Sequence, residues 1–374
     1  MTRRRRKNMK GLYIHIPFCV RKCEYCDFVS FPGVERERDA YITALISEME
    51  LYKGESVDTV FIGGGTPTAL TAPQLSRVLS AARESFDIAP GAEITVEANP
   101  GTVTDDKISA LLAGGVDRVS VGVQSFNDIE LRAIGRIHDA AAAEETVEKL
   151  YAAGFKNISI DLMASLPYQT ADSFKKSLER AVALPIKHIS VYSLIIEDGT
   201  PIKRKYEEGI YKLPDEDADR ELYRFTAEFL KRHGFERYEI SNYAVPGYES
   251  GHNLKYWDCA EYFGIGLAAH SYTDGVRRYN TADIKKYLSG SFGEDETILT
   301  DEDKRGEYMM LGLRKTAGVS AAVFKDMFGV GLYDAYKAAI DKFTRAGALE
   351  FSGGFLRLTE RGLDIANTVM CEFI

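Results

Sequence analysis

Three cysteines cluster near the start of the chain, in the stretch HIPFCVRKCEYCDF. They are Cys19, Cys23 and Cys26, and the other two cysteines lie more than two hundred residues further on. Thiolates are soft ligands that suit zinc and iron–sulfur clusters. A zinc site usually closes with four ligands, and His15 could supply the fourth. A cubane [4Fe–4S] cluster takes one thiolate per iron, so three cysteines would leave one iron open to a ligand from outside the protein.

A second set of candidate residues combines glycines with polar side chains that follow apolar runs. Its members are Gly64, Gly65, Thr66, Glu97, Gln124, Arg136 and Asp161. Glycines let the backbone approach a ligand without interference from a Cβ atom. Carboxylates suit ribose hydroxyls, and a guanidinium suits a carboxylate. Each residue alone could be an ordinary cap or salt-bridge residue. Together they form the polar set that a nucleoside joined to an amino acid requires.

The apolar runs that precede these residues predict buried parallel strands. They cover residues 11–16, 57–62, 93–98, 118–123, 157–162 and 188–194, with a last strand at 235–241. Helical patterns lie between them, and one at 215–233 ends at Gly234. Repeated strand–helix units predict an α/β fold with a parallel sheet, either open or curved into a partial (β/α)6 TIM-like barrel. We favour the barrel, because it gathers the polar strand ends around one mouth.

The pattern divides the chain into four parts. Residues 1–10, with the run Arg3–Lys7, are predicted as a disordered basic tail, and 11–245 as the barrel. Residues 246–300 are predicted as a connecting segment that holds the motif HNLKYW, and 301–374 as a small C-terminal domain. In that last part, helices at 302–314, 320–328 and 332–346 precede two short strands joined at Gly353–Gly354. This order is typical of a winged-helix-like α+β domain, which we interpret as a cover or a partner surface.

Composition excludes several classes of protein. The 374 residues, 45% of them hydrophobic, suffice for a domain of barrel size and a small one. No apolar run reaches the roughly 18 residues of a membrane span. The net charge of −9 argues against general nucleic-acid binding. Five mostly clustered cysteines do not suit a disulfide framework, so a cytoplasmic location is predicted.

The C-x3-C-x2-C spacing at the start of a β/α chain resembles the radical S-adenosylmethionine (SAM) family. In that family the three cysteines hold a [4Fe–4S] cluster, and SAM chelates the fourth iron and is cleaved to a 5′-deoxyadenosyl radical. The resemblance implies that the GGGTP segment holds the amino-acid end of SAM and that the rest of the second set binds SAM too. It also implies that Tyr13, otherwise an ordinary strand aromatic, contacts SAM, and that Phe18, Tyr25 and Phe28 shield the cluster from water.

Over most of its length the chain resembles the HemN-like group, which contains the coproporphyrinogen III dehydrogenases. The order of YIHIPFC, GGGTPT, VEANP, GVQSF and GRIH carries this resemblance. The dehydrogenase branch has a fourth cysteine, where this chain has Phe28, and a longer segment ahead of the cysteines. The group commonly has an aromatic residue and a glycine where this chain has Ala164 and Ser165. That departure predicts a different backbone geometry beside SAM, near Asp161.

The haem-chaperone branch of the group, the HemW type, is more similar. Its features are C-D-F after the cluster and H-N-x-x-Y-W downstream, and this chain has both, the second at His252–Trp257. Histidine can ligate haem iron, and Trp and Tyr can stack on the macrocycle. We therefore predict His252 as the haem ligand. The alternative is a loop in which His252 only satisfies backbone groups. Cys259 is either a second haem contact or a packed thiol.

The leading hypothesis is a haem chaperone of the radical SAM type that binds a [4Fe–4S] cluster, SAM and haem. Its expected partners are recipient haem proteins, membrane-associated acceptors among them, and not nucleic acid. The enzyme alternative is oxidative decarboxylation of coproporphyrinogen III. A zinc protein without redox chemistry is a third alternative.

Overall fold

The computed structural model describes residues 9–33 and 35–374. The predicted basic run Arg3–Lys7 lies outside the described residues. Lys10, assigned to the tail by the sequence, is the first residue of a strand.

The strands, in chain order, are β1 (Lys10–Ile16), β2 (Phe18–Cys19), β3 (Phe31–Pro32), β4 (Ser56–Gly64), β5 (Asp87–Ala98), β6 (Arg118–Gln124), β7 (Asn157–Ala164), β8 (His188–Ser193), β9 (Glu236–Arg237), β10 (Asn242–Ala244), β11 (Tyr262–Ile265), β12 (His270–Thr273), β13 (Val276–Asn280), β14 (Gly293–Ile298), β15 (Val319–Ser320), β16 (Leu349–Ser352) and β17 (Phe355–Leu358). The α-helices are Arg38–Met49, Ala72–Ser85, Asp105–Ala113, Asp128–Ala133, Ala140–Ala152, Ala171–Ala183, Pro201–Glu207, Glu216–Arg232, Gly251–Trp257, Ile284–Leu288, Asp301–Gly312, Ala321–Phe328, Leu332–Arg345, Glu360–Asp364 and Ala366–Met370. Short 3₁₀ turns lie at Glu35–Glu37, Glu50–Tyr52, Pro67–Ala69 and Cys371–Phe373.

The main sheet has the order β14-β13-β12-β11-β1-β4-β5-β6-β7-β8-β10-β9. From β11 to β8 its strands are parallel, and the strands at both ends are antiparallel. Among the described residues no pairing closes this sheet, and residues of β4 to β8 line one common cavity, so the parallel strands form a partial barrel. The predicted α/β class and the six predicted parallel strands are thereby confirmed.

The helices between the strands cover the outer face of the sheet. Helix Ala72–Ser85 shows how the sequence specifies them: Thr71 caps its first turn in a capping box with Gln74, and Leu75 and Leu79 on one side are buried in the main core. Within the described chain, no helix is both long and apolar enough to cross a lipid bilayer.

The two faces of the parallel strands differ in chemistry. In β6, Val119, Val121 and Val123 point outward into the hydrophobic core beneath the helices. The alternate positions, beginning with Arg118 and Ser120, point into the barrel and line a cavity. This follows the period of two in a strand. The inner face of this barrel is therefore polar, where side chains such as Val, Ile and Leu would fill an ordinary TIM barrel.

Residues 246–300 do more than connect two domains. They contain helix Gly251–Trp257 and strands β11 to β14, which extend the main sheet beyond β1. The sequence pattern misses these strands because β11 and β12 are only four residues long and β14 is exposed at every position. The single strand predicted at 235–241 is also wrong, since β9 and β10 are two short antiparallel strands. The chain between them leaves the sheet to pair with the C-terminal region.

The C-terminal region has its own hydrophobic core. Three helices precede β16 and β17, which meet at a turn where Gly353 and Gly354 both have positive φ angles, as in the predicted order. The region joins the barrel through backbone hydrogen bonds from Ile240 N to Arg314 O and from Thr316 N to Tyr238 O, both at 3.1 Å. Beside them the fully buried Glu239 carboxylate accepts a hydrogen bond from Arg314.

Candidate functional site

A cavity of about 650 Å³ opens at the carboxyl ends of the parallel strands. This volume lies in the range of small-molecule sites, roughly 300–1,000 Å³. The predicted site residues that line it are Cys19, Cys23, Tyr25, Cys26, Gly64, Gly65, Thr66, Glu97, Gln124, Arg136 and Asp161. The structure therefore brings together all of the predicted set except Tyr13 and His252.

The glycine turn after β4 fixes the backbone that leads into the cysteine loop. Gly65 N donates to Ile16 O at 2.9 Å, and Thr66 N donates to Phe18 O at 2.7 Å. A Cβ atom on Gly65 would lie 2.8 Å from Phe18 O, and one on Gly64 would lie 2.5 Å from the His15 ring. Side chains at both positions would thus collide with the protein itself. The glycines are needed to seat the cysteine loop, whatever they contact in a ligand.

The three thiols face the cavity from one loop and are all free. Cys19 is buried, with its Sγ 3.6 Å from the Thr66 hydroxyl, and Cys23 accepts a hydrogen bond from Arg136 Nη1 at 3.5 Å. In the part of the chain that the structure describes, no three His, Cys, Asp or Glu side chains converge on a point suited to one metal ion. Phe28, expected to shield a cluster, is 64% exposed at the rim, whereas Tyr25 packs in a small apolar group beneath the loop.

His15 does not complete a four-ligand site with the cysteines. Its Nδ1 is hydrogen-bonded to the Tyr13 hydroxyl at 2.9 Å, and its Nε2 to Val29 O at 3.1 Å. Tyr13 is half-buried and stacks on Phe61, which lines the cavity. In this structure the Tyr13 hydroxyl orients His15, and the contact between Tyr13 and SAM stays a prediction.

Two half-buried carboxyl groups line the cavity from β5 and β7, the strands on either side of β6. Glu97 accepts a hydrogen bond from Gly64 N at 3.1 Å, and Asp161 accepts one from the Ser120 hydroxyl at 3.4 Å. Burial, reinforced by the charge of Asp161, raises the pKa of Glu97 to about 8, and burial also raises the pKa of Asp161. In its protonated form the Glu97 carboxyl can both donate to and accept from a ligand hydroxyl.

Gln124 and Arg136 form the upper wall of the cavity. Gln124 has a φ angle of +67° at the end of β6, and its amide oxygen accepts a hydrogen bond from Tyr192 at 3.2 Å. Arg136 donates to Asn99 Oδ1 at 2.7 Å and to the Gly122 carbonyl, while its buried Nε has no partner. An unpaired buried donor on an arginine at the wall of the cavity suits a ligand with an acceptor group.

His252 lies in the core, below the cavity. The ring is 1% exposed, its Nδ1 is hydrogen-bonded to Thr59 Oγ1 at 2.9 Å, and its Nε2 to the Tyr256 hydroxyl at 3.0 Å. Burial lowers the pKa of His252 to about 3. Both ring nitrogens are occupied, so the predicted haem ligand is a core residue in this structure. The motif is also a helix rather than a loop, and its member that faces the cavity is Asn253.

Sequence reasoning missed several residues that line the cavity. They are Asn99, Arg118, Ser120, Ser190, Tyr192, Asn242 and Asn253. For Arg118 and Ser120 a signal was present, because they alternate with valines in RVSVGVQ and so share a strand face with Gln124. The remaining residues reach the cavity only because strands that are distant in sequence come together, so no local pattern could identify them.

The residues of the cavity fit the cofactors that the cysteine spacing implies. Three free thiols stand on one side, and a guanidinium with an unpaired donor and two protonatable carboxyl groups stand on the others. This donor set suits a thiolate-bound cluster beside a ligand that carries hydroxyl, amino and carboxylate groups.

Comparison with known proteins gives the family. Residues 13–181 match the Radical SAM superfamily, and residues 299–365 match the HemN C-terminal domain. The heme chaperone HemW of Lactococcus lactis is 38% identical over 97% of this chain and 96% of its own length. HemW of Bacillus subtilis is 38% identical over 98% of this chain and 99% of its own length. HemW of Escherichia coli is 34% identical over 97% of this chain and 98% of its own length.

A solved structure shows the same fold. Coproporphyrinogen III oxidase (HemN) of Escherichia coli, a radical SAM enzyme, matches with a TM-score of 0.85 over 98% of this chain and 90% of its own, at 23% identity. At this identity the likeness concerns the fold alone. The relatives of 34–38% identity match from end to end, and they share one name. This chain therefore belongs to the HemW family of haem chaperones, within the radical SAM superfamily.

Proposed function

We propose that this protein is a haem chaperone that binds a [4Fe–4S] cluster and SAM in the barrel cavity and delivers haem to recipient haem proteins. The observation that carries the proposal is the end-to-end similarity to HemW chaperones, with coverage of 96–99% of their lengths. The five free cysteines suit the reducing cytoplasm, where we place the protein. A membrane-associated acceptor stays a prediction.

In the proposed site, Cys19, Cys23 and Cys26 are the cluster ligands. A bound [4Fe–4S] cluster supplies one-electron chemistry. The side chains around it would then hold SAM: Glu97 and Asp161 suit hydroxyl groups, and Arg136 suits a carboxylate.

The enzyme alternative has weaker support. Phe28 occupies the place of the fourth cysteine of the dehydrogenase branch, and its ring is exposed rather than packed. The solved coproporphyrinogen III oxidase is 23% identical to this chain, and its similarity supports the fold rather than the activity. We therefore expect no decarboxylation of coproporphyrinogen III.

The decisive experiment assays both activities on one anaerobically reconstituted preparation. Haem is titrated by absorbance, and coproporphyrinogen III is incubated with SAM and reductant. We expect saturable haem binding and no protoporphyrinogen. A Cys23→Ser variant should lose iron, and Cys371→Ser, at an exposed site, should retain it. Turnover of coproporphyrinogen III without haem binding would reject the proposal in favour of the enzyme.

A further inference from the structure

The floor of the cavity lies deeper in the barrel than the residues predicted to hold SAM. In the register of β5 and β6, Glu97 is opposite Ser120, and Thr95 is opposite Arg118. Arg118 therefore lies two residues closer to the amino ends of the strands than the level of Glu97. Two residues correspond to about 7 Å along a strand. Arg118 and Ser120 both line the cavity.

Arg118 is an unpaired cation in the interior of the barrel. Its side chain is 2% exposed, and its Nε has no hydrogen-bond partner. Among the described residues no carboxylate lies within salt-bridge distance of its guanidinium. An arginine is almost never buried without a partner, because removal of the charge from water is costly. A carboxylate or another anion bound from solution would supply such a partner.

Neutral polar side chains line the cavity together with Arg118. The hydroxyls of Ser120 and Ser190 are hydrogen-bonded to the Asp161 carboxyl in the layer above, and the amide of Asn253 faces the cavity. Asn242, beside them, is held by the bond from its Nδ2 to Glu239 Oε1 at 2.6 Å. Serine and asparagine side chains can each donate one or more hydrogen bonds to an acceptor oxygen.

The acidic groups of the cavity do not pair with Arg118. Glu97 is held by Gly64 N, and Asp161 by the Ser120 hydroxyl. Both carboxyl groups lie in the layer above Arg118, and neither forms a salt bridge with it. The positive field of Arg118 favours their charged forms, but it leaves the guanidinium without a direct contact.

We propose that the floor of the cavity is a carboxylate-binding subsite centred on Arg118, with the amide of Asn253 as a neutral donor. The planar guanidinium fork matches a carboxylate in a bidentate pair. Two ligands of the proposed function carry this group: the methionine part of SAM, for whose carboxylate Arg136 is the competing partner, and the propionates of haem. Both sources rest on the proposed function, the first on its SAM-binding part and the second on its chaperone part.

The test uses the full-length protein with Arg118→Gln, which removes the charge, and Arg118→Lys, which keeps the charge but loses the fork. Arg237→Gln is the matched control, since Arg237 is a largely buried arginine paired with Glu360 outside the cavity. SAM affinity is measured by calorimetry on anaerobically reconstituted protein. Affinities for haem and for haem dimethyl ester, which has no free carboxylate, are measured by absorbance titration. Circular dichroism melts report folding.

We expect Arg118→Gln to weaken binding of one ligand by about tenfold or more, the effect of losing a charge-assisted pair. Weaker binding of SAM alone assigns the subsite to the methionine carboxylate. The subsite is assigned to a haem propionate if the variant binds haem more weakly than the wild type and binds haem and haem dimethyl ester with equal affinity. If Arg118→Gln does not fold, a loss in Arg118→Lys decides the same question.

The proposal is overturned if the folded Arg118 variants have the same affinities for SAM and for haem as the wild type and the Arg237→Gln control. Failure of the chaperone function has a different signature, because the wild type itself would then not bind haem. In that case the SAM titration still decides whether the subsite exists.

Discussion

The guanidinium of Arg136 lies between Cys23 and the end of β6: Nη1 donates to Cys23 Sγ at 3.5 Å, and Nη2 donates to Gly122 O. The contact ties the cysteine loop to a wall of the barrel that is more than a hundred residues away in sequence. It also places a fixed positive charge beside a proposed cluster ligand.

The first prediction follows from this charge. Hydrogen bonds and positive charges near the sulfurs stabilise the reduced, more negative form of an iron–sulfur cluster. Arg136→Gln should therefore lower the reduction potential of the reconstituted protein while its iron content is preserved, as seen in a redox titration followed by EPR. Arg132→Gln, on the exposed side of the neighbouring helix, is the control. An unchanged potential in Arg136→Gln would show that the contact to Cys23 has no electronic effect.

The second prediction concerns His252. Since both ring nitrogens have partners in the core, His252→Ala leaves the groups of Thr59 and Tyr256 unpaired and should cost about 2–5 kcal/mol in stability. The Soret band of bound haem should not change, because iron cannot reach Nε2 without displacing Tyr256. Tyr256→Phe is the control that removes one partner and keeps the imidazole. A shifted Soret band in folded His252→Ala would show that helix Gly251–Trp257 opens, and would restore His252 as the ligand.

The third prediction is a pH dependence at Glu48. This buried carboxyl accepts hydrogen bonds from Tyr287, Asn280 and Gly266 N, yet burial raises its pKa to about 7 from the ordinary 4.5. The folded state then binds more protons than the unfolded state between these values, so stability falls as the pH rises through them. The penalty reaches up to about 3 kcal/mol above pH 7.

Glu48→Gln removes this titration. The variant loses hydrogen bonds at every pH, but its deficit relative to the wild type should shrink between about pH 5 and about pH 8. Denaturant unfolding across that interval measures the difference. Glu84→Gln, on an exposed surface, should show no such trend. A deficit that stays constant with pH would mean that Glu48 is charged in the folded protein at all these values.

The fourth prediction uses the position where the HemN-like group commonly has glycine. Ser165 has a φ angle of +61°, a conformation that glycine adopts without strain, and its hydroxyl donates to Asp219. Ser165→Ala loses the hydrogen bond and keeps the strain, whereas Ser165→Gly loses the bond and relieves the strain. Ser165→Gly should therefore be more stable than Ser165→Ala by about 1 kcal/mol. Ala164→Gly, in ordinary strand conformation, should be destabilised by a similar amount. Equal stability of the two Ser165 variants would contradict a strain at this position.

Local patterns predicted the parts of the molecule that local interactions determine. The cysteine loop, the glycine turn and the ends of β5 to β7 are encoded in short segments, and they meet because parallel strands end at one edge. The orientation of His252 could not be predicted this way. The helix that carries it begins with Gly251 N and His252 N bonded to the Glu93 carboxylate, more than 150 residues earlier. That long-range cap turns His252 into the core and Asn253 toward the cavity.

The added strands were missed for a related reason. β13 and β14 are stabilised by their pairing with neighbours, and their sequences, VRRYN and GEDETI, lack an apolar pattern. The alternation in RVSVGVQ places Arg118 on the same strand face as Gln124, but its lack of a partner could not be predicted, because a charged residue in a barrel strand resembles a surface position until the polar interior is known.

The buried Glu239 has a consequence for how such proteins can be built. Its carboxylate binds Ser241 N and Asn242 Nδ2 in the barrel, and Arg314 in the C-terminal region. A gene fragment that ends near residue 300 would therefore encode a barrel with an uncompensated interior charge, next to two residues that line the cavity. The two regions are separate in their hydrophobic cores but are not interchangeable modules. A chimera of two relatives joined at this boundary would need a matched pair of residues at positions 239 and 314, so that the buried carboxylate keeps its arginine partner.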